Sequence, residues 1–312
     1  MLGGYAHMIT WSDNYLMGIE RLDEEHRQLF QIAEQILDRM RTRGDEGTAR
    51  MFVVREGLKY LENYFAQHAI REEAYMRQIQ YDGYALHKML HDDFRKIQLA
   101  KYQRIVDSGV CTKEDAWDFI GTGIGWLLEH ITTADMAIVG KGILSRPAAS
   151  VVNAAALENE LNLLFAATLN MEADARVVSA DYRGEPFGKA LCQRFVYSRN
   201  GQRSTVISGI ERSFLMYVAN QLYGDRAQDE IDLVMSTVEM FSAQFWITLA
   251  RQLAGFSEKI DVVESRFLMQ DAVPEELRSM NPVVSLLFTS NKGKFFVSTN
   301  SPYMGKLFTK TA

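Results

Sequence analysis

The chain has little cysteine. Only Cys111 and Cys192 occur among 312 residues, far apart and in no Cys-x-x-Cys pair. That excludes a disulfide framework and a thiolate metal site, and it fits a reducing cytosol. Excess basic charge is lacking too: 34 Lys and Arg against 40 Asp and Glu leave a net charge of −6. A nucleic-acid binder needs a basic face to displace counterions, so no nucleic-acid partner is expected. No run of about 18 apolar residues is present, and the opening MLGGYAHMITWSDNYLMG has no charged segment leading into an apolar core. The expectation is a cytoplasmic chain with no membrane partner. Hydrophobic residues at 47% and charged residues at 24% exclude a disordered or fibrous chain.

What is present divides in two, as the length suggests at about 150 residues per domain. From Asp23 to Gly140 the apolar residues repeat at helical spacing: Leu22, Leu29, Ala33, Ile36 and Met40, then Leu58, Leu61, Phe65 and Ile79. Breaks fall at Arg43-Gly44-Asp45, Asp82-Gly83 and Ser108-Gly109. Four helices on short turns predict an all-α, up-down-up-down four-helix bundle over 1–145. Gly140, Gly142 and Pro147 interrupt the pattern, and a second domain is expected over 151–312. There a helix over 152–168 precedes strand-like runs 175–182, 192–198 and 204–208. Helical stretches 211–223 and 229–254 follow, and then strand-like segments 259–269, 283–289 and 294–299. That mixture predicts an α/β or α+β domain.

Histidine is scarce but concentrated. Five of the six fall between His26 and His130. His26 stands on the apolar stripe of the first helix, and His68 and Glu72 extend the stripe of the second. His87 and His91 are four apart on one face of the third. His130 follows Gly123 and Leu127 on the fourth, with Asp135 slightly off that row. A single core histidine is usually just hydrogen-bonded, but five imidazoles and two carboxylates facing one apolar axis would be costly without a further partner. A metal supplies one. Imidazole with carboxylate suits iron, zinc or copper. Seven ligands exceed one tetrahedral zinc and suit two octahedral metals bridged by carboxylates; the Glu-x-x-His pattern of ferritin-like sites is not what these helices carry.

At these residues the sequence resembles the hemerythrin family, and within it the bacteriohemerythrins. The first motif stands as Trp11-Ser12, Gly18-Ile19 and Asp23-Glu24-Glu25-His26; the second as His68-Ala69-Ile70-Arg71-Glu72-Glu73 with Met76. The third is His87-Lys88-Met89-Leu90-His91, and the fourth Trp126-Leu127-Leu128-Glu129-His130-Ile131 with Asp135. Ala69 replaces a usual aromatic and Asp82 a frequent proline; neither is a ligand position. The resemblance implies a non-haem di-iron centre that binds O2. One iron would be held by His87, His91 and His130, the other by His26 and His68, with Glu72 and Asp135 bridging. Leu127 and Ile131 would form the apolar wall of the O2 pocket.

Several other features carry blander readings. Gly121-Thr122-Gly123-Ile124-Gly125 lacks the preceding strand and following Lys-Ser/Thr of a phosphate loop, so close helix packing is expected. His7 is expected to be exposed, Met51, Met76, Met89 and Met136 to fill core, and the charged run 225–232 to be a solvated turn and helix start.

The second half resembles, more weakly, the CheX-like chemotaxis phosphatases. The resemblance rests on Ser198-Arg199-Asn200-Gly201, Val206-Ile207-Ser208, Leu222-Tyr223-Gly224-Asp225 and Glu230-Ile231-Asp232, with the strand 293–298. That family uses a Glu-x-x-Asn pair on a long helix, where the acid grips a response-regulator lysine and the amide orients water. Glu239 fits, but Ser242 stands at the amide position, followed by Phe245 and Trp246. A catalytically silent interaction or homodimerisation domain is therefore expected, not an enzyme. The reading is an O2 or redox sensor coupled to signalling, with a response regulator or chemotaxis component as partner. The alternatives are an O2 or iron carrier, store or scavenger, and an O2-regulated response-regulator phosphatase. The expected route of any signal is the fourth helix, through Gly140 and Gly142 into the linker.

Overall fold

The helical periodicity of the first half becomes four rods in a computed structural model that describes residues 11–43, 46–145, 153–255 and 258–304. His7, the Gly44-Asp45 break, Pro147 and the boundary residue Val151 lie outside the described residues. The chain separates into two compact units. One is Met1–Lys141 with Gln221–Phe241, and the other is Gly142–Asn220 with Ser242–Ala312.

In the first unit, α1 (Glu20–Arg43) and α2 (Gly47–Gln78) are regular helices. The third rod is α3 (Tyr84–Asp93) and α4 (Ala100–Ser108), joined by a π turn at Phe94–Leu99. The fourth is α5 (Lys113–His130), a π turn at Ile131–Asp135 and the short α6 (Met136–Ile138). Together they form the up-down-up-down bundle. Asp23 fixes the entry to α1 by accepting from the Met17 amide at 2.7 Å and the Gly18 amide at 3.0 Å. Gly109 ends α4 in the left-handed region at φ 72°, which glycine adopts without steric cost. Then α5 starts on a capping box: Thr112 accepts from the Asp115 amide at 3.0 Å, and Asp115 accepts from the Thr112 amide at 2.9 Å. Thr112→Ala is expected to destabilise the unit by about 1 kcal/mol; chemical denaturation measures it, and an unchanged midpoint would refute the cap.

The unit also contains Gln221–Phe241, which opens a long helix, α9 (Ile231–Ala254), after α7 (Ala154–Leu169) and α8 (Arg212–Tyr223). The glycine run explains the packing. A Cβ on Gly121 would stand 2.8 Å from the Thr237 nitrogen and 2.9 Å from the Leu233 oxygen, and one on Gly125 2.8 Å from the Thr237 oxygen. These two glycines let backbone approach backbone, while Gly123 meets nothing within 4 Å. The run lies inside α5, not in a phosphate loop. Arg41 holds Glu230 in a two-pronged ion pair, its Nε donating to Oε1 at 2.6 Å. Glu230 is buried, so the charged run 225–232 is not simply solvated. An arginine of α1 needs it as a partner, because a lone buried guanidinium would be costly.

The second unit is a six-stranded sheet in the order β1-β5-β6-β3-β2-β4, made of β1 (Arg176–Ser179), β2 (Ala190–Arg199), β3 (Gln202–Glu211), β4 (Asp261–Leu268), β5 (Val284–Thr289) and β6 (Lys294–Thr299). Every pairing between these strands is antiparallel, so the domain is α+β. Asn200-Gly201, at φ 51° and 78°, makes the two-residue turn between β2 and β3. Alternation along β2 buries both faces. Phe195 and Tyr197 pack on Ala243 and Ile247 of α9, while Cys192 joins Ile207, Phe296 and the residues Val273 and Leu277 of α10 (Val273–Met280). Among the described residues, α9 is long and apolar enough to cross a membrane by length and composition, and half of its most apolar window is buried in the protein.

Candidate metal centre

Each rod of the bundle delivers ligand-type atoms to one point on its axis. His26 comes from α1, His68 and Glu72 from α2, His87 and His91 from α3, and His130 from the last residue of α5. Asp135 closes the π turn. In a regular helix a five-residue step ends about 140° from its start. The π turn adds a residue to the turn and brings Asp135 back under His130, with Asp135 Oδ1 3.0 Å from His130 Nε2. All seven side chains are buried, none more than 3% exposed.

The ligand atoms form two groups that share members. Glu72, His87, His91, His130 and Asp135 make one; His26, His68, Glu72 and Asp135 make the other, with the atoms of each within 4.8 Å of one another. Both carboxylates belong to both groups. Glu72 Oε2 lies 3.1 Å from His87 Nε2, 3.2 Å from His91 Nε2 and 3.9 Å from His68 Nε2. Asp135 Oδ2 lies 3.2 Å from His26 Nε2. Within the first group, His91 Nε2 is 3.2 Å from His87 Nε2 and 3.0 Å from His130 Nε2.

Three ring nitrogens converging on one point is an arrangement that a cation relieves. The unsatisfied atoms agree: both nitrogens of His26, both carboxylate oxygens of Asp135 and Glu72 Oε1 are buried without a hydrogen bond. These atoms approach one another without hydrogen-bond geometry because they aim at common centres rather than at each other. The donor set of imidazole nitrogen and carboxylate oxygen, with no thiolate, fits iron.

Around these residues lies an outer layer that sequence reasoning did not assign. Glu25 Oε2 holds His68 Nδ1 at 3.0 Å, and Arg71 holds Glu25 in turn at 2.5 Å. Glu73 Oε1 stands 3.5 Å from His91 Nδ1. Carboxylates of this kind fix the ring and strengthen it as a ligand. The available signal was a second acid beside each ligand, in Glu25-His26 and Glu72-Glu73. Trp126 stacks on His130 at 4.2 Å between ring centres, and Phe94 stacks on Trp126 at 4.1 Å. Leu127 and Ile131 are buried, and Leu127 helps to line an apolar cavity of about 40 Å³ together with Leu29, Phe65 and Trp126. Ile131 is not among its lining residues.

Residues 17–141 match the Hemerythrin HHE cation binding domain family. Bacteriohemerythrin of Clostridium acetobutylicum is 30% identical over 131 residues, which are 41% of this chain and 96% of that protein. The chain belongs to the hemerythrin family. Myohemerythrin-1 of Phascolopsis gouldii is 28% identical over 132 residues, 42% of this chain and 92% of that protein. A solved structure from Desulfovibrio vulgaris Hildenborough, described as a candidate chemotaxis protein, aligns with 46% of this chain and 90% of its own. Its identity is 14% and its TM-score 0.25, too little to bear on fold or function.

The hemerythrin domain thus carries a di-iron centre with O2 as its ligand, a non-haem iron site for O2 binding. Its polypeptide sets the protonation of the ligands. Burial pushes the His130 imidazole down to about 4, against the pull of Asp135, so the ring is neutral and ready to ligate. Burial also presses on His87, but Glu72 and Asp135 together outweigh it and raise that ring to about 10. Iron-free protein therefore holds a proton on His87 at neutral pH, and an imidazolium cannot ligate. Anaerobic iron loading at pH 7 is expected to release that proton, and acidification, by favouring it, to weaken iron binding. A pH-stat titration measures the release; loading without proton release would contradict it.

Glu239 and Ser242 lie on consecutive turns of α9, both half-buried. The negative charge of Glu239 adds to burial and to Asp118 in raising the Tyr102 hydroxyl. Phe245 is buried and stacks on Phe165, and Trp246 donates to Ser208 Oγ at 3.2 Å.

Proposed function

We propose that this hemerythrin is an O2 or redox sensor whose di-iron bundle reports to a CheX-like interaction domain. In this reading His87, His91 and His130 would hold one iron and His26 and His68 the other, with Glu72 and Asp135 shared between them. O2 would be received on the His26 and His68 side, where fewer residues are available to hold iron, with Leu127 and Ile131 as the apolar wall. The bundle spans 1–145 and the second domain 151–312, of which Gln221–Phe241 belongs to the compact unit of the bundle. Its output is a cytoplasmic interaction, with a response regulator or another chemotaxis component, or with a second copy. Ser242 cannot orient water as an amide would, so Glu239 is left without phosphatase function.

One observation supports the sensor reading above a carrier or store. The ligand helix α5 is fitted through Gly121 and Gly125 to the start of α9, and α9 then runs without a break to Ala254. A shift of His130 or Asp135 has a packed neighbour to act on, beside the route through Gly140 and Gly142. A ligand moves such an equilibrium only through different affinity for its two states. Hydrogen exchange over 137–168 and Ile231–Ala254 tests this in iron-free, reduced, O2-exposed and oxidised protein. Protection is expected to differ between reduced and oxidised forms. Identical protection together with identical oligomeric state would remove the sensor reading and leave the carrier.

A further inference from the structure

A cleft between the sheet and α9 in the second unit has no part in the iron chemistry. It measures about 370 Å³, room for roughly 12 water molecules at ~30 Å³ each. Gln202 and Arg203 of its lining are exposed, so the space is a cleft that a ligand can enter from solvent. Its walls are apolar: Tyr197, Val206, Leu286 and Val297 from the sheet, with Trp246 and Ile247 from α9. The size falls in the range of small-molecule sites, which combine such walls with a few placed polar groups.

The charged groups are of one sign. Arg199 and Arg203, on either side of the β2–β3 turn, line the cavity, and among the described residues no Asp or Glu does. The Arg199 guanidinium rests 3.8 Å from the Tyr303 ring centre and pairs with Glu258 at 3.4 Å. Arg203 is exposed. A guanidinium recognises a carboxylate through paired hydrogen bonds. We propose that this cavity binds a small amphipathic carboxylate, with the apolar chain between the sheet and α9 and the carboxylate at Arg199 and Arg203. Nothing in this depends on iron or on the sensor reading.

The test uses the full chain and decanoate, with decanol as the uncharged counterpart. Decanoate is expected to bind at one site by calorimetry and to raise Tm with concentration, as a ligand of the folded state must. Arg203→Gln, at an exposed position, is expected to weaken decanoate about tenfold, the loss of one charged contact, and to leave decanol unchanged. Ala250→Phe, which fills the cavity, is expected to abolish both. No binding by the parent chain would overturn the proposal, as would equal decanoate affinity in Arg203→Gln. Binding seen only after removal of residues 305–312 would also overturn it, because that segment would then be the occupant.

Discussion

Replacing Glu72 or Asp135 by alanine is expected to empty both metal positions, whereas His26→Ala empties one. Each carboxylate belongs to both ligand groups, while His26 belongs to one. Iron content after anaerobic reconstitution should fall from two per chain to near zero in Glu72→Ala and Asp135→Ala, and to about one in His26→Ala. The effect on stability should follow. At about a thousandfold excess over Kd, iron stabilises the parent by about 4 kcal/mol, and a variant that binds none gains nothing. Equal iron content in Glu72→Ala and His26→Ala would remove the bridging role.

Gly125→Val is expected to cost about 3 kcal/mol, or roughly 6–12 °C in Tm for a unit of this size. The obstacle is the Thr237 carbonyl, 2.8 Å from where the Cβ would stand, and backbone cannot turn aside as a side chain can. Two residues away the sign reverses. Gly123→Ala meets nothing within 4 Å and should stabilise α5 by up to about 1 kcal/mol through helix propensity. The pair of variants separates packing from propensity on one turn of one helix. An unchanged Tm in Gly125→Val would mean that α5 does not pack there.

Most of the bundle was legible because its apolar period and glycine breaks are local signals. The clustering of these histidines and carboxylates was legible because polar side chains on an apolar stripe demand a reason. Asp135 stood off its row for a physical reason: an α-helical wheel cannot represent the π turn that returns it to His130. In the second half, the strands and the helices α8 and α9 follow from the alternation and helical periodicity of their residues. Helix α10 did not emerge, although Pro274-Glu275-Glu276 offered a start signal, because eight residues are too few for periodicity to register. The burial of Glu230 was hidden for a different reason. Its partner Arg41 is 189 residues away, and a charged run carries no mark of a distant ion pair.

Anaerobic reconstitution of the full chain with ferrous iron, followed by metal analysis and titration with O2, tests the central claim. Two irons per chain are expected, with one O2 taken up per pair and released again on deoxygenation. One zinc and no retained iron, or two irons that consume O2 without giving it back, would contradict it.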